Sequence, residues 1–273
     1  MRRFEDRVAL VVQVGSELAR ACAVRLAEEG ARVVVVDPQE ASVERAVRAV
    51  EEVGGAATGL VAPLGDEAAI HDLVRAVDDR HGRLDVLVVA VGQVDWWEPA
   101  EEDMTRWEES LRINLLTPVF LTRAFRPLLA RSGAGSVVIY GSVDGTHGNP
   151  QFPAYSSARG ALVPFVHTEA HDVAPLGIRV NLVAGAAILP QGPEAPLRPG
   201  PPIDMGSVAR HTPLGRAATP EDVAATVAFL ASADAAYVTG SVVTLDGGRT
   251  AITPGTGGVA SVPQPADPGG AHR

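Results

Sequence analysis

Short runs of β-branched residues alternate with helical stretches along most of the chain, and no other feature narrows the possible folds so far. Residues 8–14 read as a strand, 17–29 as a helix ended by Gly30, and 32–36 as the next strand. Residues 33–36 are apolar on both faces, as a parallel strand covered by helices on each side requires. The pattern continues with helix 41–53, a short strand near Gly59, helix 67–80, strand 84–90, helices 104–114 and 118–129, and strand 136–140. Helix 154–173, strand 178–183, helix 220–231 and strand 241–245 complete it. Seven strands with helices between them predict an α/β fold: a single doubly wound, Rossmann-type parallel sheet with helices on both faces.

Two segments break the rhythm. Residues 189–202, LPQGPEAPLRPGPP, are too rich in proline for an element interior and read as a surface flap. Residues 250–273 are Gly, Pro and Ala with few apolar anchors, so the chain divides into a domain over 1–249 and a disordered tail. The 273 residues, 46% of them hydrophobic, suffice for one large core. A net charge of -10 and the absence of any basic run argue against a nucleic-acid partner. The apolar runs are of strand length, no charged-then-apolar leader is seen, and a cytoplasmic protein without membrane attachment is expected. Cys22 is the one cysteine and reads as a small buried side chain in a reducing compartment. The chain has no lysine, so its basic side chains are arginine and histidine.

Residues 11–20, VVQVGSELAR, stand between the first strand and first helix, where this architecture places its phosphate-binding turn. They hold a single glycine, Gly15, where such turns carry three.

The order of motifs resembles the short-chain dehydrogenase/reductase family, in its ketoreductase and acyl-carrier-protein reductase branch. The likeness runs from Val8 to Gly248 and is strongest in GIRVNLVAG, TPLGRAATPEDVAATVAFLAS and YVTGSVVTLDGG. It implies hydride transfer at a carbonyl or alcohol with a nicotinamide cofactor. Asn114 in RINLLTPVF, Ser142 in YGSVDG and Tyr155 in AYSSARG match the family's catalytic Asn, Ser and Tyr, whereas Arg159 stands where the family has Lys. The resemblance also implies a homo-oligomer, a dimer or tetramer built on the helices at 118–129 and 154–173, with a hetero-oligomer of homologous chains as the variant.

The nucleotide side departs from the family pattern. Val12, Gln13, Glu17 and Ala19 replace the Thr and three glycines of the first turn, and Val89, Ala90, Val91, Gly92 replace Asn-Asn-Ala-Gly. Pro63, Gly185, Ala186 and Pro190 replace further nucleotide contacts, while Asp37, the ribose acid that favours NAD(H) over NADP(H), is in place. Asp37, Gly15 and Gly92 are thus the expected vestige of a dinucleotide site. Glu17 is expected to repel the phosphates by about 3 kcal/mol per charge pair at ~5 Å and an effective dielectric near 20. No cofactor, or a weakly bound one, follows.

The resemblance implies that Ser142 and Tyr155, at the family spacing, converge on one substrate oxygen, and Arg159, four residues after Tyr155, shares its helix face. The leading expectation is therefore cofactor-independent acid/base chemistry, a dehydration, isomerisation or cyclisation of a medium-sized, polyketide-like small molecule. An NAD(H)-dependent oxidoreductase and a catalytically silent partner subunit are the alternatives. His167 and His171 share a helix face in HTEAH, but the glutamate is misplaced for a metalloprotease, and no metal is expected. Trp96 and Trp97 suit either an aromatic cleft wall or packing under a helix.

Overall fold

The computed structural model describes residues 2–94, 103–150, 152–188 and 204–251. Its first half alternates β1 (Val8–Val12), α1 (Glu17–Glu28), β2 (Arg32–Asp37), α2 (Glu40–Glu52), β3 (Ala56–Val61), α3 (Glu67–His81) and β4 (Val86–Val89). The second half adds α4 (Met104–Leu111), α5 (Thr117–Ala124), α6 (Arg126–Arg131), β5 (Ser136–Ser142), α7 (Asp144–His147) and α8 (Pro153–Val173). It closes with β6 (Arg179–Gly185), α9 (Met205–Arg210), α10 (Pro220–Ala231) and β7 (Val242–Leu245). The seven strands form one sheet in the order β3-β2-β1-β4-β5-β6-β7, and each neighbouring pair runs parallel.

Side-chain alternation along β1 explains the two layers. Ala9 and Val11 point to the face covered by α1 and α10, among Cys22, Leu26 and Val227. Leu10 and Val12 point to the other face, among Leu73, Leu121 and Leu162 of α3, α5 and α8. Burial pushes the Cys22 thiol up to about 12, so it behaves as an apolar side chain. Polar caps fix where helices begin. Ser16 accepts the Ala19 N–H at 3.2 Å at the start of α1, and Thr219 and Asp222 form a reciprocal capping box on α10.

The expected elements are present, with instructive differences. The predicted helices 104–114 and 118–129 are broken into α4, a π-helical segment Arg112–Leu116, α5 and α6. Pro127 lies in the first turn of α6, where its missing N–H is tolerated. β5 extends to Ser142 and β6 to Gly185 because their backbones stay paired, Ser142 opposite Gly185. The short helices α7 and α9 escape a periodicity reading because one turn gives no repeat. The flap at 189–202, Pro190 within it, Trp96, Trp97 and residues 252–273 of the expected tail lie outside the described residues. Among the described residues no helix is long and apolar enough to cross a membrane.

Candidate active site

The strand order reverses between β1 and β4, and the carboxyl ends of these strands open into a cleft of about 520 Å³. Gln13, Ser16, Asp37, Ser42, Leu64 and Gly92 are among the residues that line it. Gln13 has φ +63, the left-handed backbone that a glycine adopts freely. Its N–H donates to the Val36 carbonyl at 2.8 Å, and its side chain clasps Gly92. Gln13 Oε1 accepts the Gly92 N–H at 2.7 Å, while Nε2 donates to the Gly92 carbonyl at 3.2 Å. The turn therefore keeps a glycine-like course without the glycine.

Asp37 is buried at the end of β2, where Oδ2 accepts the Gly15 N–H at 2.8 Å and Oδ1 the Gln39 N–H at 3.0 Å. A Cβ at Gly15 would come within 3.0 Å of Asp37 Oδ2 and 3.1 Å of Ser42 Oγ, so a side chain there would crowd the acid. A carboxylate has about four lone-pair positions, which leaves Asp37 capacity for further donors.

The second group of residues gathers at the ends of β4 and β5. Arg159, 3% exposed, lies one turn beyond Tyr155 on α8, with its guanidinium carbon 5.2 Å from the Tyr155 ring centroid. Nη1 and Nη2 donate to the Val91 carbonyl at 3.0 and 3.1 Å, and Nη1 also reaches the Tyr140 carbonyl at 3.4 Å. Nη2 lies so close over Gly92 that a Cβ there would overlap it. Arg159 Nε is buried and has no hydrogen-bond partner among the described residues. A guanidinium stays charged at any physiological pH, so Arg159 brings a fixed positive charge to the site.

Ser142, at the end of β5, is buried and its Oγ accepts the Asp144 N–H at 3.1 Å. Among the described residues no hydrogen bond joins Ser142 to Tyr155. Asn114 is fully buried in the π-helical segment, an irregularity frequent at functional sites. Its Oδ1 accepts the Gln93 N–H at 2.9 Å, and its Nδ2 donates to the Gln93 carbonyl at 3.0 Å and to Ser110 Oγ at 3.2 Å. Asn114 thereby holds the chain leaving β4, next to Gly92. Burial raises the Tyr140 phenol well above its ordinary range, and its hydroxyl packs so tightly on Gly185 that only glycine fits there.

The residues singled out from the sequence thus meet in two contiguous groups. Gly15 joins Asp37, and Gly92 touches both Gln13 and Arg159. Sequence reasoning missed the Gln13 clasp and Tyr140. Glutamine in a turn carries no signal for a partner on another strand, and tyrosine in a strand reads as core. His167 and His171 are exposed on α8, while Glu169 between them turns inward to an ion pair with Arg126.

Comparison with known proteins places this geometry in context. Residues 14–250 match the family model described as enoyl-(acyl carrier protein) reductase. The cis-4-hydroxycyclohexanecarboxylate dehydrogenase of Sinomonas cyclohexanicum is 34% identical over 251 residues, covering 91% of this chain and 98% of the relative. The 3-oxoacyl-[acyl-carrier-protein] reductase FabG of Thermotoga maritima is 32% identical over 250 residues, 90% of this chain and 98% of the relative. Among solved structures, NAD+-bound xylitol dehydrogenase superposes with a TM-score of 0.83 at 25% identity, covering 90% of this chain and all of the other.

These relatives overturn the expectation of no cofactor or a weakly bound one, with NAD(H) over NADP(H) as its corollary. They are named dehydrogenases and reductases, one is solved with NAD+ bound, and they point to a nucleotide cofactor. A physical reason lies in the turn, where Gln13 holds the left-handed backbone that the missing glycine would hold. The cofactor-independent reading gives way with it to the oxidoreductase alternative.

Proposed function

Because the chain belongs to the short-chain dehydrogenase/reductase family, we propose that it is an oxidoreductase acting at a carbinol or carbonyl carbon of a small molecule with a nicotinamide dinucleotide. One observation carries the reading: the cleft that starts at Asp37 ends at Gly92, directly against the Arg159 guanidinium that stacks on Tyr155. The buried Asp37, the glycine-like turn at Gln13 and the open end of α1 at Ser16 fit a dinucleotide along that cleft. A dinucleotide bound there supplies or accepts the hydride.

The chain's own residues do the rest. Asp37 accepts ribose hydroxyls with its remaining lone pairs. Ser142 and Tyr155 hold the substrate oxygen, and the Tyr155 hydroxyl gives it a proton in reduction or takes one in oxidation. Arg159 sets a fixed positive charge against the Tyr155 ring and, being unable to deprotonate, leaves proton exchange to Tyr155 and solvent. Asn114 keeps the β4 exit in place so that the cleft floor does not shift under the substrate. The relatives, a hydroxycyclohexanecarboxylate dehydrogenase and an oxoacyl reductase among them, support alcohols and ketones as the substrate class. A homo-oligomer is supported by Leu116 and Phe120, apolar side chains exposed at 45% and 43% on and beside α5.

The test is direct. The purified protein is titrated with NADH and NADPH by fluorescence, then assayed at 340 nm with a panel of cyclic alcohols and ketones. Saturable dinucleotide binding together with substrate-dependent absorbance change is expected. A protein that binds neither dinucleotide at millimolar concentration and turns over none of the panel is not this enzyme.

A further inference from the structure

Arg112 lines the same cleft as Asp37 and Gly92, and the chemistry above gives it no part. The strand order β3-β2-β1-β4 sets out what the cleft holds along its length. Gly92 follows β4, Gln13 follows β1, Asp37 ends β2, and Leu64 and Gly65 come after β3, so a molecule lying across the strand ends meets them in that order. Arg112 belongs to the last of these places. Its Nη1 lies 3.0 Å from where a Cβ on Gly65 would stand, which sets the guanidinium beside the chain leaving β3.

The backbone beneath Arg112 is fixed, although its side chain is exposed. The buried Thr117 donates from Oγ1 to the Arg112 carbonyl at 3.0 Å, and the Arg112 N–H reaches back to the Glu108 and Glu109 carbonyls. Residue 112 opens the π-helical segment, and Asn114, two positions on, is buried under Gln93 while Arg112 faces the cleft. Among the described residues no carboxylate or carbonyl holds the guanidinium. Beside it the cleft is lined by Leu64, 7% exposed, and Ile113, which both pack onto the core layer under α3, α5 and α8. A planar cation next to two aliphatic side chains suits a flat ring, which gains from the guanidinium plane and from the apolar contact together. A phosphate in the same place would find one arginine for its several oxygens and would lie against aliphatic surface, a poor match.

We propose that Arg112 is the base-binding residue of the cleft, its guanidinium taking the face of a purine ring beside Leu64 and Ile113. The proposal rests on the reading of the cleft as a dinucleotide site, and deepens it by assigning a residue to the purine end. Asp37 stands next in line toward β1, which agrees with the chemistry of a purine nucleoside, since the ribose that Asp37 accepts is joined directly to the base.

Adenosine tests this with no phosphate in the probe. Ligand-observed NMR titration of the full chain gives its dissociation constant for the parent, Arg112→Ala and Arg112→Lys. Arg112→Ala should weaken adenosine roughly tenfold, the scale of one stack between a base and a side chain. Arg112→Lys keeps the charge but not the plane, and should weaken it nearly as much. Both variants should unfold at the parent's temperature, because the side chain they replace is exposed, so that a loss of binding is not a loss of fold. Adenosine bound as tightly by Arg112→Ala as by the parent, full affinity in Arg112→Lys, or no binding by the parent at millimolar concentration would each overturn the proposal. Because binding is read separately from turnover, an Arg112-dependent adenosine site in a protein that oxidises no NADH would sink the oxidoreductase reading and leave Arg112 in its role. NADH-dependent turnover with adenosine affinity indifferent to Arg112 would do the reverse.

Discussion

The Arg159 guanidinium lies over the Cα of Gly92, held there by the Val91 carbonyl at 3.0 and 3.1 Å, so that residue 92 has no room for a side chain. Gly92→Ala must expel the guanidinium or move the strand exit, and overpacking of this kind costs roughly 1–3 kcal/mol. Thermal unfolding should show the loss, and turnover should fall with it. An alanine variant as stable and active as the parent would mean that Arg159 is free to stand elsewhere.

Gln13 separates backbone strain from side-chain bonding. Its φ of +63 disfavours any side chain, by about 1–2 kcal/mol, whereas its amide makes two hydrogen bonds to Gly92. Gln13→Gly relieves the strain and loses the bonds, each worth about 1 kcal/mol, so its stability should stay near that of the parent. Gln13→Ala keeps the strain and loses the bonds, and should be roughly 2 kcal/mol less stable. Urea denaturation of the parent and both variants checks the ordering: Gln13→Ala as stable as the parent would remove the clasp from the account, and equal stabilities of the two variants would remove the backbone strain.

Tyr155→Phe deletes one hydroxyl from a residue that otherwise packs by its ring against Arg159. The general acid/base contribution at stake is roughly 10²- to 10⁴-fold in rate, with little change in unfolding temperature. Steady-state kinetics on any substrate found in the alcohol and ketone panel gives the answer, and an unchanged kcat would place the proton transfer on another group.

Asn114 satisfies both backbone groups of Gln93 from a fully buried position. Asn114→Leu is close in size but leaves the Gln93 N–H and carbonyl without their partner, at about 1–3 kcal/mol. Hydrogen exchange at the Gln93 amide should rise sharply in that variant. Protection equal to the parent's would show that the β4 exit is held by other contacts.

Asp85 should set part of the acid limit of the fold. Burial by itself would raise its pKa, but hydrogen bonds from Arg83, from the Val8 N–H at 2.9 Å and from Arg7 at 2.8 Å outweigh it and hold the carboxyl below the ordinary range. A folded pKa below the unfolded one, about 3.9, stabilises fully above that value and is lost as pH falls through the folded pKa. Asp85→Asn should be about 1–2 kcal/mol less stable at pH 7, because Asp85 is buried while its Arg7 and Arg83 partners remain open to solvent, and should show a flatter stability profile below about pH 5. Parallel profiles for the two proteins across the acid range would exclude Asp85 as the group responsible.

What the sequence by itself determined is whatever depends on near neighbours. The alternation of β-branched and helical runs is enough for seven parallel strands, because strand and helix periods arise from the sterics of residues a few positions apart. The one-turn spacing of Tyr155 and Arg159 likewise puts them on one helix face, and the structure has them in contact. Only the tertiary structure decided what the site residues touch. The Gln13 side chain reads as an obstruction in the turn until β1 and β4 pair and bring Gly92, 79 positions away, within reach of both ends of its amide. Glu169 reads as one more polar residue between two histidines, yet α8 turns it toward Arg126. In each case the partner is distant in the chain, and no local rule of period or propensity can name it, since register and packing choose the partner only when the whole sheet closes.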